Sequence, residues 1–339
     1  MYRKCKEYVL IDPKLVDLET ELDQKLGCVS AIFDIDTILA EKTNRDRGDR
    51  YLPGVSGAPV PLFSRAPKSL SHEEEARLHL SDRLVPSVAG EVPEVPLPVD
   101  SVLEKYISGT SVHRVLEIGV GSGEFSFYFA TKHPQKHFSS CNLGVDTFKY
   151  AAEKIRGIKN LEMTQGLPTD TAESSAPKQF FDCAFSVDGL SLYPTLSHVV
   201  ESVAQSLKTG DPYIVADQFL TQPSQSLTKS FLRARYLVGQ QVTIHELESY
   251  EMFVDRCKQY GLKVSFGADL SESVLDRVDT RYRRLEAVFA HPGVTRLAVP
   301  LLPHDVRDEM ISAYLLPTVL RLKMVQYQLT VFEKQADGK

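Results

Sequence analysis

The chain has 339 residues, 42% of them hydrophobic, and a formal net charge of −6; that is enough apolar material for a full α/β domain and more. A wide phosphate-binding surface usually shows as a basic excess, so the acidic balance argues against nucleic acid as a partner. Five scattered cysteines (Cys5, Cys28, Cys141, Cys183, Cys257) show no CxxC or Cys/His spacing, so neither a disulfide framework nor a metal site is expected, and a reducing compartment fits. The N-terminal stretch MYRKCKEYVLIDPK lacks an apolar signal core, and no run of eighteen apolar residues occurs. A cytoplasmic protein with no integral membrane segment is the expectation.

Residues 1–98 read as an N-terminal extension. Eight of the 19 prolines fall between Pro53 and Pro98, and the stretch from Val85 to Pro98 reads as an extended linker or a strap over the core. Ser71 to Leu84 reads as an amphipathic helix, with Ser71 as N-cap and Glu74 as its capping-box partner. Ala31 to Leu39, AIFDIDTIL, resembles the aspartate motif of haloacid dehalogenase-type phosphatases. That chemistry needs a nucleophilic and an acid/base carboxylate two residues apart at a strand end, with Mg²⁺. It also needs a downstream lysine and a further acidic pair. Fewer than seventy residues, rich in proline, follow before the next domain, so an ordinary strand or helix edge is the better reading of Asp34 and Asp36.

From residue 99 to about 335 the pattern becomes regular α/β alternation. Ser101 to Tyr106 reads as a short helix, His113 to Ile118 as a strand, Glu124 to Lys132 as a helix and Lys136 to Asn142 as a second strand. A helix from Asp146 to Arg156 is closed by Gly157. Strands follow at Leu161 to Gln165 and at Phe180 to Val187, the latter a nearly continuous apolar run suited to a central parallel strand. A helix from Leu196 to Leu207, a strand from Tyr213 to Asp217, a helix from Glu246 to Tyr260 and a strand from Leu262 to Phe266 come next. Ser271 to Phe289 and Pro303 to Met324 are helical, forming an insertion or lid over about 270–323. Val325 to Glu333 alternates with period two and reads as a seventh strand.

The chemistry concentrates in Val115 to Phe125, VLEIGVGSGEF: a buried strand, a glycine turn and a helix start. Glycines at such a junction let backbone approach a ligand closely and adopt positive φ, and the helix N-terminus adds unpaired N–H groups. The spacing is G-x-G-x-G; Ser126 breaks the G-x-G-x-x-G fingerprint of dinucleotide sites. Glu117 would repel a pyrophosphate but suits a cationic ligand. The segment resembles the first motif of the class I S-adenosylmethionine (SAM)-dependent methyltransferases. Cys141 to Ala151, Phe180 to Gly189, Leu207 to Asp217, Glu248 to Leu262 and Asp269 to Ser271 are similar to later motifs of one branch. That branch comprises the sterol, tocopherol, cyclopropane-fatty-acid and natural-product small-molecule methyltransferases.

The resemblance implies a seven-stranded Rossmann-like sheet with helices on both faces, a helical insertion before the last strand, and that strand inserted antiparallel. It implies SAM as cofactor, held by Glu117, Gly119, Gly121, Gly123, Asn142, Leu143, Gly166, Leu167, Ser186 and Asp188. Asn142 takes the place of the acidic residue that grips the ribose in most class I enzymes, and Ser186 and Asp188 are expected beside the reactive methyl. Tyr193, His245 and Glu246 are the catalytic candidates, each with a structural reading beside it; Asp217 and Gln218 are further strand-end candidates. Of three departures, Thr209-Gly210-Asp211 in place of a second turn glycine reads as structural, and two bear on the site. Leu167 replaces the aspartate that reaches the adenine, with Asp170 as a substitute, and Ser191-Leu192 replaces a Glu-His pair. The expected activity is methyl transfer to a small, lipophilic or isoprenoid-like molecule at C, O or N, with a homodimer as candidate assembly. The alternative is a methyltransferase-fold binding or scaffold protein that has lost turnover.

Overall fold

The computed structural model describes residues 13–32, 98–120, 123–142, 151–152, 155–170, 179–190, 193, 195–221, 249–275, 285–286, 288–290, 304–323 and 325–336. The helices expected at 71–84 and over most of 146–156 lie outside them, as do Asp34 and Asp36. Among the described residues the chain forms α1 (Pro13–Ile32), α2 (Pro98–Ile107), β1 (Arg114–Ile118), α3 (Glu124–Lys132), β2 (His137–Asn142), β3 (Leu161–Gln165), β4 (Cys183–Val187), α4 (Leu196–Ser206), β5 (Pro212–Leu220), α5 (Tyr250–Gln259), β6 (Leu262–Asp269), α6 (His304–Arg321) and β7 (Val325–Lys334).

The strands form one sheet in the order β3-β2-β1-β4-β5-β7-β6. Strands β1 to β5 run parallel to one another, and β7 runs antiparallel between β5 and β6. The seven-stranded sheet with an inverted last strand is therefore present. Strand β4 is buried along its whole length, as its unbroken apolar run requires of a strand covered on both faces. Its alternate residues feed two cores. Cys183, Phe185 and Val187 join the face covered by α2, α3, α6 and α1, while Ala184 joins the face covered by α4 and α5.

Several elements differ from the sequence expectation for identifiable reasons. Strand β4 starts at Cys183 because Phe181 makes only a bridge to Leu207. The Asp182 carboxylate instead accepts the N–H groups of His113 and Arg114, at 2.7 and 2.8 Å. Strand β5 extends to Leu220 because β7 pairs with all nine of its residues, a partner invisible to local pattern. Helix α5 begins at Tyr250, where Ser249 is extended and its side chain caps Met252 N–H at 3.3 Å; the hydroxyl ends the helix in the manner of an N-cap. Ala31 and Ile32, the head of the phosphatase-like tract, close α1.

Helix α1 is built into the core. Leu22, Leu26, Val29 and Ile32 join the same apolar cluster as Leu315 and Val319 of α6. A polar clasp locks the pair: Lys25 lies 2.6 Å from Glu21 and hydrogen-bonds Thr318, whose hydroxyl donates to Glu21 at 2.8 Å. Burial lowers the pKa of Lys25 despite this pairing. Helix α1 thus packs on α6. Among the described residues, no helix is long and apolar enough to cross a membrane.

Candidate active site

The sheet reverses direction of growth between β1 and β4, the chain winding outward from β1 to β3 on one side and from β4 to β5 on the other. In parallel α/β sheets, ligands bind outside the carboxyl ends of the strands at such a switch point. Here the two strand ends touch through glycine. Gly119 follows β1 with φ +78°, and a Cβ on it would lie 2.7 Å from Gly189 O and nearer still to Gly189 Cα. A Cβ on Gly189 would in turn lie 2.6 Å from Ile118 O. Gly119 N–H donates to Cys141 O at 3.0 Å and to the Tyr193 hydroxyl at 3.2 Å, and that hydroxyl donates to Cys141 O at 3.2 Å. Gly123, with φ +80°, is the residue before α3, and a Cβ on it would meet Ala151 at 3.4 Å.

Glu117 sits on β1 directly below this turn, 3% exposed. Its position, two after Val115, places it on the α3 face of the sheet. There it accepts a hydrogen bond from Ser126 of α3 and one from Ser140 of β2 at 3.3 Å, and the two hydroxyls also contact each other. The residue that spoils the dinucleotide fingerprint is therefore the one that anchors the carboxylate. Charge-assisted bonds in a water-poor setting hold such a group firmly.

The loop after β4 is tied down from several sides. Asp188 has φ +50°, its N–H donates to Ala216 O at 3.0 Å, and its Oδ1 accepts from the Tyr327 hydroxyl at 2.8 Å. Asp217, at 4% exposure, accepts Leu190 N–H on Oδ2 at 2.9 Å and Gln218 N–H on Oδ1 at 2.8 Å. The carboxylate considered for the acceptor thus holds the loop backbone. Burial pushes Asp217 up to about 6 from 3.8, against the downward pull of its N–H donors.

A carboxyl raised in this way binds its proton more tightly folded than unfolded. Its contribution to stability is present below about pH 4 and lost as the pH rises through 6. The stability advantage of wild type over Asp217→Asn is expected to shrink by about 3 kcal/mol across that window. Urea unfolding at a series of pH values checks it; a constant difference would contradict the assignment.

The remaining predicted residues are placed as follows. Ser186 is fully buried on the α4 side of the sheet, beside Val215 of β5. Gly166 has φ +94°. Leu167 is 2% exposed within the apolar cluster under α4. Asp170, the substitute for adenine recognition, turns back to accept Leu167 N–H at 2.8 Å and lies 3.1 Å from His198. Tyr193 is 2% exposed, and burial raises its pKa well above the usual tyrosine value. Asn142 ends β2, paired with Gln165. Gly121, Leu143, His245 and Glu246 lie outside the described residues. Ser126, Ser140, Gly189 and Tyr327 escaped sequence reasoning. Gly189, sited just past the apolar strand, carried the only local signal.

No protein-family model matches the sequence, and no curated relative does. Solved structures match its fold. Haemonchus contortus phosphoethanolamine N-methyltransferase 2, in complex with phosphomonomethylethanolamine and S-adenosylhomocysteine, superposes with a TM-score of 0.54 at 15% identity, over 70% of this chain and 52% of that one. The chain therefore spans about half the length of that protein. The [4+2]-cyclase SpnF gives 0.53 at 13% identity, over 83% of this chain and 89% of that one. A putative sarcosine dimethylglycine methyltransferase from Galdieria sulphuraria gives 0.53 at 13%, over 89% and 99%. The chain has the Rossmann-like fold of the class I small-molecule methyltransferases.

Proposed function

We propose that this chain is a SAM-dependent methyltransferase acting on a small, lipophilic or isoprenoid-like molecule. The observation that carries the reading is the buried Glu117 beneath a left-handed Gly119, at the switch point of a sheet whose fold-mates include complexes with S-adenosylhomocysteine. In this reading Gly119, Gly121 and Gly123 bring backbone against the cofactor, and Glu117 faces its cationic end. Asn142, Leu143, Gly166 and Leu167 line the adenosine side, and Asp188 lies beside the methyl. Ser186, facing the α4 core, supports the strand end from behind. Tyr193, whose hydroxyl bridges Gly119 N–H and Cys141 O, holds the glycine turn; that leaves His245 and Glu246 as the candidate bases.

The cofactor supplies an activated methyl carbon on sulfur. Held by the glycine turn, that methyl would pass directly to the acceptor's electron pair, and His245 or Glu246 would take the proton that an O–H or N–H acceptor gives up. The protein's part is alignment and exclusion of water, effects that reach about 7–11 kcal/mol for well-held reactants. The likeness of the later sequence motifs to the sterol and tocopherol methyltransferase branch supports a lipophilic acceptor.

A second reading, a methyltransferase fold that does other work, draws on Leu167 occupying the expected adenine contact and on the cyclase among the fold-mates. Calorimetric titration with SAM, followed by transfer of labelled methyl from SAM to a metabolite extract read by mass spectrometry, separates the two. Binding and a labelled product are expected. No binding at millimolar SAM would overturn the methyltransferase reading, and binding without transfer to any metabolite would favour the second.

A further inference from the structure

Tyr327 belongs to β7, the inverted strand, and is fully buried. Strand β5 separates β7 from β4, yet the tyrosine hydroxyl crosses β5 to reach the loop beyond β4. It donates to Asp188 Oδ1 at 2.8 Å and lies 3.1 Å from Ala216 O. A buried phenol needs one acceptor, and Ala216 O alone would satisfy it. The shorter contact is the one to the carboxylate, 139 residues away in the chain. Asp188 itself is in the left-handed region at φ +50°, a conformation that persists for an aspartate only where its surroundings over-determine it. Those surroundings are the Ala216 O bond to its N–H, the Asp217 bond to Leu190 N–H and the contact of Gly189 with Gly119. The backbone that carries the carboxylate is thereby fixed next to Gly189, which touches the glycine turn at Gly119.

We propose that Tyr327 is a positioning residue that orients the Asp188 carboxylate as the negative charge facing the sulfonium of SAM. This rests on the methyltransferase reading above. A fixed carboxylate near a sulfonium distinguishes the cationic cofactor from its neutral thioether product, because only the former carries charge at sulfur. It favours loading of SAM and release of S-adenosylhomocysteine. The hydroxyl matters because its bond sets the direction of one carboxylate oxygen, and preorganised charge is worth more than mobile charge in a water-poor site.

The test is the ratio of affinities for SAM and S-adenosylhomocysteine. It is measured by calorimetry on wild type, Tyr327→Phe, Asp188→Asn and the double variant, with thermal melting as a check on folding. Tyr327→Phe is expected to weaken SAM about tenfold while leaving S-adenosylhomocysteine within about twofold, as loss of one oriented charge interaction implies. Asp188→Asn is expected to do at least as much, and the double variant no more than Asp188→Asn alone, because the tyrosine acts through the carboxylate. Equal weakening of both ligands, or additive losses in the double variant, would make Tyr327 a structural strut and overturn the proposal. Should Tyr327→Phe fail to fold, an unchanged ratio in Asp188→Asn overturns it equally. A wild type that binds neither ligand removes the methyltransferase reading itself, an outcome distinct from wild-type binding with an insensitive ratio.

Discussion

Gly119→Ala is expected to abolish measurable SAM binding and to lower unfolding free energy by about 2–5 kcal/mol, the sum of a strained left-handed alanine and an overpacked contact. The methyl group would have to occupy space 2.7 Å from Gly189 O, with Gly189 Cα nearer still. Both obstacles are backbone, so no side chain can swing aside. Relief requires the ends of β1 and β4 to separate, which would move Ile118 and Asp188 and pull Gly119 N–H off Cys141 O and Tyr193. Gly210→Ala is the matched control: its φ is +87°, but a Cβ there meets nothing within 4 Å. It is expected to cost about 1 kcal/mol and to leave SAM binding intact. Denaturant unfolding and calorimetry on both variants decide the matter. Equal losses would show that φ alone, rather than the strand-end contact, makes Gly119 necessary.

The second large effect is expected at Glu117. Glu117→Gln keeps the shape and an acceptor oxygen for Ser126 and Ser140, so folding stability should change by less than about 1 kcal/mol. SAM affinity should fall about 10–100-fold, the range of a charge-assisted bond replaced by a neutral one. Glu117→Ala removes the acceptor as well and leaves the Ser126 and Ser140 hydroxyls, both at 0% exposure, with one donor more than their mutual bond can satisfy, so it should also cost about 2–4 kcal/mol of stability. If Glu117→Gln binds SAM like wild type, the carboxylate serves only the serine network beneath the turn.

Much of the sheet was legible because strand and helix periods differ and most strands pair with neighbours of matching pattern. β1, α3, β3 and α4 could be placed from apolar runs, glycines and caps within one or two residues. The unread parts are those that a distant element decides. Strand β5 runs on to Leu220 because β7 lies against it. Helix α1 carried no visible assignment as core, since its apolar face is completed only by α6.

The candidate site divides along the same line. Composition and local pattern alone determined an acidic α/β chain whose carboxylate-and-glycine turn stands between a buried strand and a helix, because those features depend on residues close in the chain. Tertiary structure decided what each group does there. Gly119 makes room for Gly189 across the switch point, Asp217 and Tyr193 brace backbone, Asp170 caps its own turn, and Tyr327 reaches Asp188 over an intervening strand. Hydrogen-bond partners and backbone contacts between residues far apart in sequence have no local signature. They exist only once the strands are in register and water has been excluded from between them.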